Sequence, residues 1–256
     1  MSNKTGMQNI FKQTFFAFLF VSFSLVSHAN QLTFVAEELP PFHFLGVDNK
    51  PTGVLVEIIE ALMVRAKLSG SIELMPFARS YDQTLKEENT FMISLMKSAD
   101  RKNSFQWVGQ IFKSKAFLVG LRSRSDINIS DIEEAKSFVV GTIRGYHSEK
   151  YLKNAGFSVQ DNLHLSVNYK YMWGMLFEKR IDFILTNFVA IDSEMKSIGF
   201  DKKDIKTFVE LHDFPGDLFI ATGLKTSNSI VANLSDALQQ IKADGTYKKI
   251  MDKWGI

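Results

Sequence analysis

Short apolar runs rich in β-branched and aromatic residues recur along the chain, and each ends at polar or turn-forming residues. Runs of this length and composition predict buried strands. In the first half they cover residues 32–38, 71–77, 90–96 and 116–121. Pro40 and Pro41 close the first run, because consecutive prolines lack the amide donors of a strand ladder.

Segments with apolar residues three or four positions apart lie between these runs. Residues 54–67 carry Leu55, Ile58, Ile59 and Leu62 on one face, which predicts a helix. A second, shorter helix is predicted over residues 79–88. This β-α-β-α-β order favours a parallel sheet.

The second half repeats this alternation after a polar stretch, residues 122–131, which we interpret as a crossing between two lobes. The predicted elements are strands at 137–143, 181–187 and 205–211 and helices at 148–154, 169–179 and 190–198. An apolar run at 217–224 and two amphipathic helices follow. This is the order expected if the chain crosses to a second lobe and returns, with short strands acting as hinges.

The first 29 residues predict a cleaved signal peptide. Lys4 and Lys12 precede an apolar run at 15–26, and residues 27–29 end in a small-residue cleavage pattern. An uncleaved membrane anchor is the alternative, but no longer apolar stretch follows. We therefore expect a periplasmic protein that begins near Asn30.

Charge and cysteine content narrow the function classes. Removing Lys4 and Lys12 from the 30 basic residues leaves 28, which equals the 28 acidic residues. Nucleic-acid binding needs clustered basic residues, whereas here both signs are interspersed, so we expect a small-molecule partner and no nucleic acid. The absence of cysteine excludes disulfides, thiolate metal sites and a lipid-bearing cysteine.

Arg101 lies just after the predicted strand at 90–96, within the segment SADRKNSFQWVG at 98–109. Ligands of open α/β sheets collect beyond the carboxyl ends of strands, so this arginine is a candidate anion-binding residue. A solvated surface position is the alternative.

The chain lacks the common sequence patterns of metal-dependent, serine-nucleophile and nucleotide-binding enzymes. The chain has no HExxH, GxSxG, Walker or GxGxxG pattern, and its histidines after the signal region are scattered. We expect no catalytic residue, no metal and no cofactor.

Six segments together carry a resemblance to a known family. They are EELPPF at 37–42, PTGVLVEI at 51–58, SADRKNSFQWVG at 98–109, VGTIRG at 140–145, KRIDFILTN at 179–187 and IKADGTYKKIMDKWG at 241–255. In their order and spacing the chain resembles the periplasmic solute-binding proteins of ABC importers, family 3, the polar amino-acid-binding type.

The resemblance implies an α/β fold of two Rossmann-like lobes joined by two hinge strands, the type II periplasmic binding fold. Residues 30–121 with 216–256 are expected to form one lobe and residues 122–215 the other. It implies a monomer that closes on a small anionic or zwitterionic ligand and delivers it to an inner-membrane ABC permease.

The implied site centres on Arg101, which falls where family members pair an arginine with the ligand carboxylate. Ser94, Met96 and Ser98 are expected along the same cleft, with Ser98 in place of the commoner threonine. In the second lobe, Tyr146 stands at a helix entry where small hydroxyl residues are usual.

Asn187 departs most from the family pattern, because amino-acid binders usually place an aspartate there to hold the ligand ammonium. An amide accepts hydrogen bonds but brings no charge. The ligand is therefore not an ordinary α-amino acid unless Glu37, Glu38 or another acid takes over this role.

Three further candidates are Phe42 and Trp107, as aromatic walls of the cleft, and Arg79, as a second positive charge. Core packing or surface exposure is the alternative for each of them.

Two other functions share this implied fold. One is a dehydratase of cyclohexadienyl acids, with Glu37 or Glu38 as the positioned acid. The other is a ligand-binding sensor that docks on a membrane receptor.

Overall fold

The computed structural model describes residues 31–256, so the predicted signal peptide lies outside the described residues. Its strands are β1 (Leu32–Ala36), β2 (Phe44–Leu45), β3 (Pro51–Thr52), β4 (Gly70–Leu74), β5 (Thr90–Met96), β6 (Phe105–Lys113), β7 (Ala116–Leu121), β8 (Val140–Ile143), β9 (Leu163–Ser166), β10 (Phe183–Asn187), β11 (Ile205–Leu211) and β12 (Asp217–Gly223). Its α-helices are α1 (Val54–Ala66), α2 (Phe77–Lys86), α3 (His147–Asn154), α4 (Tyr169–Phe177), α5 (Phe188–Ser197), α6 (Asn228–Ala243) and α7 (Thr246–Lys253).

Lobe 1 is built on a five-stranded sheet of order β4-β1-β5-β12-β6. Strand β1 pairs in parallel with β4 and β5, whereas β12 pairs antiparallel with β5 and β6. Phe34 and Phe91 on the two central strands are fully buried and stack 5.3 Å apart. Helices α1, α6 and α7 contribute their apolar faces to the same core.

Lobe 2 is built on a second five-stranded sheet, of order β11-β7-β10-β8-β9. Strands β8, β9 and β10 are parallel, and β7 runs antiparallel to β10 and β11. Tyr169 and Trp173 of α4 are buried in its core. The expected fold class, two α/β lobes, is confirmed, although each sheet is mixed because the returning strands run antiparallel.

The two connections between the lobes lie side by side. The chain leaves lobe 1 between β6 and β7 and returns between β11 and β12. The Ser114 N–H donates to the Gly216 carbonyl at 2.9 Å, and a Cβ atom at Gly216 would lie 1.9 Å from the Ser114 carbonyl oxygen. Glycine is therefore required at this close approach.

This geometry corrects the expected crossing point. Strand β7 belongs to the sheet of lobe 2, so the chain crosses before Ala116 and not in the polar stretch 122–131. The apolar run of β7 is buried, and a run of this kind fits the interior of either sheet. The remaining limits of the two lobes stay predictions.

Candidate site residues follow the carboxyl ends of four strands. Glu37 follows β1, the turn containing Arg101 follows β5, residues 144–147 follow β8, and Asn187 ends β10. Within residues 31–256, no helix combines the length and the apolar content needed to span a bilayer.

Candidate ligand-binding site

A cavity of about 110 Å³ lies between the two lobes and takes its walls from both of them. Lobe 1 contributes the polar residues Glu37, Ser94 and Arg101, and lobe 2 contributes Thr142, Ser148, Asn187 and Glu194. Leu39, Phe77, Met172 and Leu185 are among the apolar wall residues. A mainly apolar pocket with a few convergent polar groups is the usual form of a small-molecule site.

Arg101 is held in the cavity wall by aromatic rings and by both lobes. Only 7% of the residue is exposed, and its guanidinium lies 5.7 Å from the Phe77 ring centre and 5.3 Å from that of Tyr81. It donates to the carbonyl of Met96 at 3.4 Å and, across the cavity, to that of Gly145 at 3.1 Å. Burial lowers the pKa of Arg101, with Tyr81 and Asp100 opposing, and a guanidinium stays charged.

Tyr146 and Glu37 connect the lobes beside this arginine. The Tyr146 hydroxyl donates to Glu37 Oε1 at 2.6 Å. Burial, followed by the charges of Glu37 and Glu194, raises the pKa of Tyr146 well above its usual value, so the phenol remains a donor. The other carboxylate oxygen, Glu37 Oε2, is buried and has no hydrogen-bond partner among the described residues.

A fully buried histidine fixes the orientation of the Ser94 hydroxyl. His43 Nδ1 contacts the Glu37 carbonyl, and its Nε2 lies 2.8 Å from Ser94 Oγ. Burial lowers the pKa of His43, so the ring is neutral at pH 7. A carbonyl only accepts, so Nδ1 carries the proton and Nε2 accepts from Ser94. Ser94 therefore offers lone pairs to the cavity, and not the donor expected for an anion.

Glu194 is an acidic wall residue that the sequence analysis did not select. It lies on α5, is 1% exposed, and accepts a hydrogen bond from the Trp173 indole N–H. Burial raises the pKa of Glu194 to about 7, and the Trp173 bond opposes this shift. Glu194 follows Asn187 by seven residues, which is about two turns of an α-helix. This spacing places the two side chains on the same face of α5.

Asn187 is the N-cap of α5 as well as a wall residue. Its side-chain oxygen accepts the Ala190 N–H at 2.9 Å, which satisfies one of the free donors at the start of the helix. This oxygen is therefore committed to the helix.

The Bacterial extracellular solute-binding proteins, family 3, match residues 32–256 of the chain. The chain belongs to this family. One curated relative of this solute-binding protein is the L-cystine-binding protein TcyA of Bacillus subtilis (strain 168). The two sequences are 23% identical over 215 residues, which cover 84% of this chain and 76% of TcyA.

Solved structures agree with this solute-binding protein in fold. An ancestral arginine-binding protein bound to arginine superposes with a TM-score of 0.76 at 22% identity and covers 88% of this chain and 97% of its own. A histidine kinase sensor domain similar to periplasmic binding proteins gives 0.79 at 14% identity, with 88% and 96% covered. These are type II periplasmic binding folds, which confirms the expected fold.

Two expected site residues of the solute-binding protein, Ser98 and Glu38, are not in the cavity wall. Ser98 is buried, and its hydroxyl donates to Asp100 at 2.7 Å. Glu38 pairs with Lys170 of lobe 2 at 3.1 Å. Of these two residues, Glu38 contacts the opposite lobe. Met96, in contrast, lies in the cavity wall, as Arg101, Ser94, Tyr146 and Asn187 do.

Three expected site residues of this solute-binding protein, Phe42, Trp107 and Arg79, lie outside the cavity wall. Phe42 is fully buried in the lobe 1 core, with its ring centre 4.9 Å from that of Phe112. Trp107 lies on β6, donates to the Lys102 carbonyl at 3.1 Å, and is not in the wall. Arg79 is exposed on α2 and also lies outside it. Aromatic type alone does not distinguish a cavity wall from a core.

Metal-binding geometry is not found in residues 31–256, where no three His, Asp or Glu side chains are grouped in a way that would hold an ion.

Proposed function

We propose that this protein binds a small carboxylate-bearing solute in the periplasm by closing its two lobes, and delivers it to an inner-membrane ABC importer. The observation that carries the proposal is the buried Arg101 guanidinium in the cavity wall, between lobe 1 and the Gly145 carbonyl of lobe 2. A carboxylate is the ligand group that matches a guanidinium in charge and in planar geometry.

Burial strengthens the attraction between the Arg101 guanidinium and a ligand anion. Arg101 is shielded from water by the rings of Phe77 and Tyr81, so a ligand anion competes with little solvent. Hydrogen bonds to charged groups contribute about 1.5–3 kcal/mol. The hydroxyls of Thr142 and Ser148, which bond to each other in the wall of lobe 2, add neutral polar contacts.

Contacts between the lobes support binding by closure. Arg101 reaches Gly145, Tyr146 reaches Glu37, and Lys170 reaches Glu38. Each contact pairs one lobe with the other. A solute that contacts both walls binds the closed form more tightly than the open form. The ratio of these two affinities sets how far the solute shifts the equilibrium toward the closed form.

The relatives named above bind L-cystine and arginine, which carry carboxylates. This supports a carboxylate-bearing solute for this chain, without selecting one.

Thermal melting with a panel of amino acids and simple carboxylic acids tests the proposal. We expect at least one carboxylate to raise the melting temperature of the protein lacking residues 1–29. If no carboxylate does so, the proposed function is wrong. Delivery to an importer predicts that deleting the encoding gene abolishes cellular uptake of the stabilising solute, and unchanged uptake contradicts it.

A second candidate function, dehydration of cyclohexadienyl acids, is favoured by one observation. Glu194 is a buried carboxyl group in the cavity with a pKa raised to about 7, and such a group is suited to acid–base chemistry. The family and the solved relatives described above are binding proteins. We therefore expect no aromatic product when the protein is incubated with prephenate or arogenate, and turnover that Glu194→Gln abolishes would establish the enzyme instead.

A further inference from the structure

Ser94 and His43 form a hydroxyl–imidazole pair at the cavity that the proposed binding function does not use. Ser94 Oγ lies 2.8 Å from His43 Nε2, although the two residues are 51 positions apart in the chain. Ser94 is partly exposed in the cavity wall, whereas His43 is fully buried. A serine hydroxyl within hydrogen-bond reach of a neutral imidazole is the arrangement that activates serine as a nucleophile.

His43 is held in the tautomer that a general base requires. Its Nδ1 contacts the Glu37 carbonyl, which only accepts, so Nδ1 carries the proton and Nε2 presents its lone pair to Ser94. Burial lowers the pKa of His43, which keeps the ring neutral, and the charge of the Glu37 carboxylate opposes this shift. The same carboxylate therefore stabilises the imidazolium that forms when His43 takes a proton from Ser94.

The surroundings of Ser94 fit an acyl group. Arg101 brings a positive charge to the same cavity, and acyl transfer needs such a charge where the carbonyl oxygen becomes negative. The other hydroxyl pair of the wall, Thr142 and Ser148, bond to each other, so Ser94 differs from them in having an imidazole partner. A cavity of about 110 Å³ with largely apolar walls favours a small ester as the substrate.

We propose that Ser94 is a nucleophile and His43 its general base, and that this pair hydrolyses small carboxylic esters in the cavity. The activity goes beyond the proposed function, since binding of a carboxylate solute does not depend on it. The sequence does not reveal the pair, because Ser94 lies on β5 and His43 between β1 and β2, and only the fold brings them together.

Acyl transfer through this pair takes two steps. Ser94 Oγ attacks the carbonyl carbon of the ester while its proton passes to His43 Nε2, and His43 then gives this proton to the leaving alkoxide, which departs as the alcohol. Water next attacks the acyl-serine, with His43 taking one water proton and returning it to Ser94 Oγ. The products are the carboxylic acid and the alcohol, and both side chains regain their starting states.

Two probes test this assignment on the protein lacking residues 1–29. A small alkyl fluorophosphonate gives a stable adduct with an activated serine, and peptide mass spectrometry locates that adduct. Release of p-nitrophenol from p-nitrophenyl acetate measures turnover. The variants are Ser94→Ala, which removes the nucleophile, and His43→Gln, whose amide is not a base. The exposed Ser104→Ala and His212→Gln are the matched controls.

We expect the fluorophosphonate adduct on Ser94, and turnover that Ser94→Ala abolishes and the controls retain. His43→Gln should slow both reactions at least about 100-fold, the usual contribution of a general base. Melting curves establish that each variant is folded, and should His43→Gln not fold, the adduct position and Ser94→Ala decide. An adduct on lysine or tyrosine instead of Ser94, no turnover by the wild type, or wild-type turnover by a folded Ser94→Ala protein overturns the inference and leaves the proposed function intact.

Discussion

Arg101→Ala removes the guanidinium from the cavity wall and is the most informative single substitution. Because Arg101 is 7% exposed and lies against Phe77 and Tyr81, its hydrogen bonds to a ligand carboxylate compete with little solvent. Hydrogen bonds to a charged group contribute about 1.5–3 kcal/mol, so their loss weakens ligand binding about 10- to 150-fold.

Stability should change much less than affinity. The side chain of Arg101 touches cavity-wall groups and two carbonyls, of Met96 and Gly145, and lies outside the apolar core of lobe 1. A loss of about 1 kcal/mol corresponds to about 2–4 °C in melting temperature for a chain of this size.

Calorimetric titration of a solute that stabilises the wild type measures this effect. Arg101→Lys keeps the charge but not the planar pair of donors, so we expect an affinity between those of wild type and alanine. Arg79→Ala, on the exposed face of α2, is the matched control and should bind like wild type. A folded Arg101→Ala protein with wild-type affinity would refute the role of this arginine.

Three further predictions follow from single contacts. Tyr146→Phe removes the bond to Glu37 across the lobes and should weaken ligand binding about 2- to 10-fold in calorimetry, whereas the exposed Tyr171→Phe should not, and equal affinities of both variants would contradict the contact. Asn187→Ala should cost about 1 kcal/mol in urea unfolding while Asn187→Asp keeps the cap of α5, and equal losses would argue against capping. The raised pKa of Glu194, about 7 against an unfolded value of 4.5, makes its neutral form stabilising below pH 4.5, and this stabilisation is lost as pH rises through 7. Glu194→Gln should therefore gain about 3 kcal/mol of unfolding free energy over wild type between pH 4.5 and 8, and a constant difference would contradict the burial of this carboxyl group.

Hydrophobic patterning predicts strands best where an apolar run has sharp polar limits. The runs at 90–96 and 116–121 correspond to β5 and β7 residue for residue. Strand β6 is not predicted, because Gln106, Gly109 and Gln110 interrupt its apolar positions. Strand β7 pairs with β10 of lobe 2, a segment about 60 residues away in the chain. The apolar run of β7 does not indicate which sheet it joins.

The cavity wall is predictable only in part, for physical reasons. Arg101 follows a strand at its carboxyl end, so its position in the wall follows from the fold class. Glu194 resembles any solvated helix glutamate in sequence, and only the packing of Trp173 from another helix shows that it is buried. His43 and Phe42 are neighbours in the chain, yet one orients Ser94 and the other packs in the core.

Small-angle scattering with and without a stabilising solute tests the central claim of closure most directly. The structure has the lobes in contact through Arg101 and Gly145 and through Tyr146 and Glu37. We expect the liganded protein to match the scattering profile calculated from this structure, and the ligand-free protein to have a larger radius of gyration. A solute that binds and stabilises the protein without any decrease in its radius of gyration would contradict binding by closure.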